Sequence, residues 1–171
     1  MKQITYVIVI LCITAQQFVT AQELPGKPAS GYAFPLGSKF TIKLYPTDST
    51  HFNFSIIAFE HYTATVDTWE HDNLFPKAGQ DSTVTFCFCV GTEGKTEQEK
   101  IKNQQVLLLI KNYTKINFQY SSDIQRTENG AFESTSNIGI FSKATGKEMW
   151  PYMIYAIGLK DFRRYQFPEK K

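Results

Sequence analysis

Cys87 and Cys89 are the first residues in this 171-residue chain whose type and spacing suggest chemistry. Side chains two positions apart on an extended strand project to the same side, so both thiols point away from the face shared by Val84, Phe86, Phe88 and Val90. Their Cα atoms would then lie about 6.6 Å apart, near the upper limit for a disulfide. Three fates follow: small apolar packing on a second buried face, a strained and easily reduced bridge, or a metal or thiol-redox site completed by His61 or His71. The first is favoured, because free thiols survive an oxidising compartment when they are buried. No cofactor is expected.

His51, His61 and His71 stand ten residues apart, and the last two repeat a motif, Phe59-Glu-His61 and Trp69-Glu-His71. On one continuous strand His61 and His71 would be about 33 Å apart, too far to share an ion. A metal site therefore needs a turn between them, with Asp67, Asp72 or the cysteines as further ligands. Ordinary strand-end histidines are the simpler reading.

Gly91-Thr-Glu-Gly94-Lys95-Thr96 follows a strand pattern and precedes a possible helix, the setting of a phosphate-binding loop. That loop needs a glycine where Cys89 stands, so that backbone N–H groups can wrap the phosphates, and Glu93 adds a negative charge. The segment is read as a strand connection. There is no Gly-x-Ser-x-Gly elbow and no His-Glu-x-x-His pair, and the acidic residues are scattered, so the chain leans away from catalysis. Asn53-Phe-Ser55 and Asn112-Tyr-Thr114 match the N-glycosylation pattern, with Asn112, expected at an accessible turn, the better candidate.

Aromatic residues give another possibility. With 14 Phe, 9 Tyr and 2 Trp, the chain holds more rings than a core of its size needs. Flat rings stack on sugars or anchor protein interfaces. Trp69, Trp150 and Tyr152 are the candidate ligand-binding residues, with Tyr32, Phe34, Tyr62 and Tyr155 as further rings of interest.

The elements that must position these groups read as strands. Apolar residues alternate at Phe40, Ile42 and Leu44, at Phe52, Phe54 and Ile56, at Tyr62, Ala64 and Val66, and from Val84 to Val90. Val106–Ile110 is unbroken, as in a central strand covered on both faces. A turn at Asn112–Lys115 leads to Ile116, Phe118 and Tyr120, which could pair back as a hairpin. Further strands are expected over 131–141 and 151–162, with Trp150-Pro151-Tyr152 opening the last. Thr96-Glu-Gln-Glu99 is a capping box that supports one surface turn of helix. About eight strands of this kind make an all-β fold, a single antiparallel β-sandwich, immunoglobulin-like or jelly-roll-like.

Hydrophobic residues at 42% and charged residues at 20% exclude a disordered chain. Residues 1–21 carry Lys2, an apolar run from Tyr6 to Ile13 and a Val19-Thr-Ala21 cleavage pattern, and read as a signal peptide. Their removal takes one lysine from the formal net charge of +2. So balanced a chain offers no footprint for nucleic acid, and no mature segment has the apolar length of a transmembrane helix. Residues 22–37, rich in turn formers, read as a leader, 38–167 as the sandwich domain and 168–171 as a charged tail.

Met1-Lys-Gln-Ile-Thr with Ala21-Gln resembles the leaders of exported Bacteroidota proteins. Leu109–Lys115 with Tyr120, and Glu148-Met-Trp-Pro-Tyr152 leading to Asp161-Phe162, resemble stretches of small uncharacterised secreted β-sandwich proteins of that group. The resemblance implies export and a sandwich fold, and no activity. The expectation is thus a secreted, non-enzymatic binding module in the periplasm, at the cell surface or outside the cell, with a protein or glycan as partner. The alternatives are a metal or redox protein using Cys87 and Cys89, and a structural envelope subunit that takes another chain on an exposed strand edge.

Overall fold

The computed structural model describes Leu24 and residues 26–166, so the signal-peptide and tail readings lie outside the described residues. Ten strands form the architecture: β1 Gly31–Pro35, β2 Ser38–Pro46, β3 His51–His61, β4 Val66–Asp67, β5 Thr83–Thr92, β6 Gln105–Asn112, β7 Phe118–Gln125, β8 Phe132–Thr135, β9 Thr145–Trp150 and β10 Ala156–Arg164. Among the described residues the one α-helix, α1, is Glu97–Lys102, and a 3-10 turn spans Asp72–Leu74. All pairings are antiparallel except β4 on β5. The fold is all-β, as the alternation predicts.

It is not two clearly separate sheets. One sheet of order β8-β7-β10-β3-β2-β5-β6-β9 curls into a half-barrel, with β1 added on β10 and β4 on β5. Strands β10 and β3 pair through only Phe162↔Phe52 and Arg163↔His51, beside an irregularity in β10 where Asp161 has φ 54°. Such a bulge bends its strand and sharpens the local twist, which lets the sheet turn the corner that a sandwich would make with a loop.

The concave face holds the core. Inward positions of β2, β3, β5 and β6 (Phe40, Ile42, Phe54, Phe86, Phe88, Leu108) meet Phe118, Leu159 and Phe162 from β7 and β10. Burial of one such ring contributes about 1.5–3 kcal/mol. Gly31–Pro35, read from sequence as part of the leader, is in fact structural: Phe34 is buried and stacks on Phe40 at 3.5 Å between centroids.

A smaller core lies on the convex face. Leu107, Leu109, Cys87 and Cys89 are buried there under Phe75, with Tyr62, Val66 and Leu74 packed around them. The chain from 62 to 80 therefore works as a cover rather than as the strand that Tyr62, Ala64 and Val66 suggest, and only Val66–Asp67 pairs. The hairpin expected between Val106–Ile110 and Ile116–Tyr120 is also absent. β6 lies between β5 and β9, whereas β7 pairs with β10 and β8. Trp150 ends β9 instead of opening the last strand, which begins at Ala156.

Candidate functional site

Asp67 organises the exposed aromatic site. Its carboxylate accepts hydrogen bonds from the backbone N–H groups of Trp69 at 2.8 Å and Glu70 at 2.9 Å, the local turn that a short aspartate side chain favours. Those donors hold the Asp67 carboxyl below its ordinary range. Thr68 fastens the turn from within: its N–H donates to Thr92 O at 2.9 Å, its Oγ1 accepts from Gln105 Nε2 at 3.0 Å, and its carbonyl accepts from Lys147 Nζ at 2.8 Å.

Trp69 is thereby pushed outward, 62% exposed. Lys147 Nζ lies 3.8 Å from the ring centroid and Glu93 accepts from the indole N–H, so an exposed ring is held in one orientation. Trp69 lines a cleft of about 780 Å³ with Tyr62, Asp67, Glu70, His71 and Asn73. His71 Nδ1 is buried there and has no hydrogen-bond partner among the described residues.

Trp150 and Tyr152 belong to a second, adjoining cleft. Its volume is about 380 Å³, and it opens between residues 135–138 and 147–152. Trp150 is 5% exposed and lies in its floor, whereas Tyr152, 38% exposed, stands at the rim with the Arg126 guanidinium 4.4 Å from its centroid. Lys147 connects the clefts, since it lines the second and its ammonium covers Trp69 beside the first. Trp69 and Tyr152 are thus on accessible surface, and Trp150 serves as wall.

The second cleft contains a carboxylate that the sequence reading did not single out. Glu148 faces the core side of β9 and is 8% exposed. It accepts from Tyr120 Oη at 2.6 Å and, at 3.3 Å to each oxygen, from Asn137 Nδ2. Burial raises its pKa against these hydrogen bonds and that from the Ile138 N–H. Burial likewise pushes the Tyr120 phenol well up, with the Glu148 charge adding to the shift. The in-phase series Gly146, Glu148, Trp150 is the signal that recognising β9 would have supplied.

The cysteine pair is placed differently from the metal or redox reading. Both thiols are free and buried. The hydrogen bond with Cys89, followed by burial, pushes the Cys87 thiol far up, which opposes the thiolate that redox and metal chemistry use. His51 and His61 are exposed, with His51 Nδ1 3.0 Å from Asp48. Among the described residues no group of three or more His, Cys, Asp or Glu side chains is placed to hold a metal ion.

At the loop before α1, the Glu99 carboxylate accepts from the N–H groups of Lys95 at 2.7 Å and Thr96 at 3.1 Å, taking the place a phosphate would need. Asn112 is not an accessible acceptor either. It is fully buried, with Nδ2 donating to the carbonyls of Ile116 and Phe141 at 2.9 Å each.

Comparison with protein-family models, curated proteins and solved structures gave no match. The class defined by the geometry alone is an all-β domain with a presented indole beside a carboxylate-floored cleft.

Proposed function

We propose that the chain is a secreted, non-enzymatic binding module that receives a glycan on Trp69. The observation that carries this reading is the exposed indole, held by Lys147 and Glu93, in a cleft that Glu70, His71 and Asn73 also line. An aromatic face suits the C–H surface of a sugar ring, and flanking planar polar groups suit its hydroxyls. The cleft volume falls within the range of small-molecule sites. Asp67 Oδ1 holds the turn that presents the ring. Export to the periplasm, cell surface or medium is inferred from residues 1–21.

The test is intrinsic fluorescence and calorimetry of the mature chain against a panel of neutral, amino and acidic oligosaccharides. Because Trp150 is buried, a bound sugar should change chiefly the Trp69 emission. Trp69→Ala should weaken binding about tenfold, or ~1.4 kcal/mol, and Trp69→Phe should restore part of it. Failure of the whole panel, or a bound sugar indifferent to Trp69→Ala, refutes the reading.

A further inference from the structure

The clearest unclaimed feature is the place where the curled sheet stops short of closing. β9 ends the strand order, and residues 135–140 run past its outer side. That passing segment is tied to β7: Ser122 N–H donates to Asn137 Oδ1 at 3.0 Å, and Ile140 and Phe118 exchange backbone hydrogen bonds of 2.8 and 3.0 Å. Among the described residues no backbone-to-backbone bond joins it to β9; the bridges end on β9 side chains, Trp150 Nε1 to Thr135 at 3.4 Å, Asn137 to Glu148 at 3.3 Å, and the Ile138 N–H to the Glu148 carboxylate.

The register shows which backbone groups face this seam. Asn112 N–H donates to Ala144 O at 3.0 Å, extending the Lys111↔Thr145 pairing. Hydrogen-bonded pairs alternate along an antiparallel ladder. Gly146, Glu148 and Trp150 therefore turn their N–H and C=O groups to β6, and Thr145, Lys147 and Met149 turn theirs to the seam. Among the described residues no backbone group outside the ladders bonds to these three. Unpaired edge groups of this kind are a template for another strand.

The chemistry of the occupant is set by the floor. Glu148 is held by Tyr120, Asn137 and the Ile138 N–H, all neutral donors, while the nearest lysine on the strand, Lys147, sends its ammonium to the opposite face, over Trp69. Among the described residues the carboxylate thus has no cationic partner, and Ile138, Trp150 and Tyr152 line the cleft with it.

We propose that the seam takes up an extended segment of another protein as an added strand on the free edge of β9, with a lysine or arginine of that segment reaching Glu148. Main-chain hydrogen bonds to Lys147 and Met149 give affinity, and the buried carboxylate selects the residue between apolar neighbours. This site adjoins the Trp69 cleft at Lys147, and neither reading depends on the other.

The experiment is selection from a displayed library of random nine-residue peptides on the mature chain, followed by fluorescence anisotropy of the selected peptides. Selected sequences should lack central proline and be enriched in lysine or arginine at one position. Met149→Pro removes an outward donor that the β6 ladder does not use and should weaken binding at least tenfold. Glu148→Gln should retain binding but equalise a lysine peptide and its glutamine analogue. Peptides N-methylated at alternate residues test the same hydrogen bonds without altering the protein. In the free chain, the Lys147 and Met149 amides should exchange faster than those of Glu148 and Trp150, and slow on binding. Selection without basic residues, binding indifferent to both Met149→Pro and N-methylation, or protected Lys147 and Met149 amides in the free chain would each overturn the proposal. Dimers lost on Met149→Pro would overturn it too, by assigning the edge to a second copy.

Discussion

Glu148 joins three segments through one carboxylate: β9, which carries it, β7 through Tyr120, and the chain after β8 through Asn137 and the Ile138 N–H. Burial favours its protonated form in the fold, so its native pKa lies above the ordinary carboxyl value. A raised acid binds protons more tightly folded than unfolded, and its contribution is complete below the unfolded pKa and lost as pH rises through the native one. Asp67, Asp123 and Glu99, all lowered, work in the opposite direction and lose their contribution as pH falls through their native values. Urea midpoints measured from acid to neutral pH should show wild type losing stability relative to Glu148→Gln as pH rises through the native pKa of Glu148. A constant difference would mean that Glu148 is not buried as described. Little of this was legible in the sequence, because a single glutamate declares itself as inward-facing only once its strand is known. Trp69 was legible as a ring of interest, but the Lys147 and Glu93 contacts that fix it come from positions 78 and 24 residues away.

Strands β2, β3, β5 and β6 were readable because each has a clean apolar period or an unbroken run, and a buried face leaves that mark. β9 was not, since Gly146, Lys147 and Glu148 lack the branched and aromatic residues of a typical strand, and pairing with the strongly apolar β6 forms it. β1 was hidden by Gly31 and Pro35 for a similar reason, its place being made by β10. The alternation at Tyr62, Ala64 and Val66 misled because Tyr62 and Val66 pack on the convex face as part of a cover, while Ala64 between them is exposed. That cover fits closely at Gly91, where an added Cβ would meet the Leu107 side chain and lie 3.1 Å from Thr68 Oγ1. Gly91→Ala should therefore displace the turn at Asp67–Glu70, at a stability cost of about 1–3 kcal/mol. Acrylamide quenching of Trp69 should rise with it, and unchanged quenching would show that the turn is held independently of β5.

On the scale of the molecule, the concave face is a continuous core, and the sheet bends at Asp161 to enclose it. The all-β class follows from composition and alternation, but a half-barrel and a sandwich share the same strand patterns. The choice between them rests on β10 serving β7 along its length and, on its other side, β1 and then β3 in succession. That arrangement has a mechanical consequence. Gly31 pairs with Lys160 and Pro35 with Ala156, so the start of β1 and the finish of β10 lie at the same end of one antiparallel ribbon. Tension applied between residues 30 and 165 loads its hydrogen bonds one after another, whereas tension across β2 and β5 from opposite ends loads theirs together. Single-molecule pulling should open the first geometry at much lower force than the second, and equal forces would contradict the register. Under load the terminal ribbon would yield as a zipper while the Phe86 side of the molecule stayed rigid, making β1 a built-in force fuse.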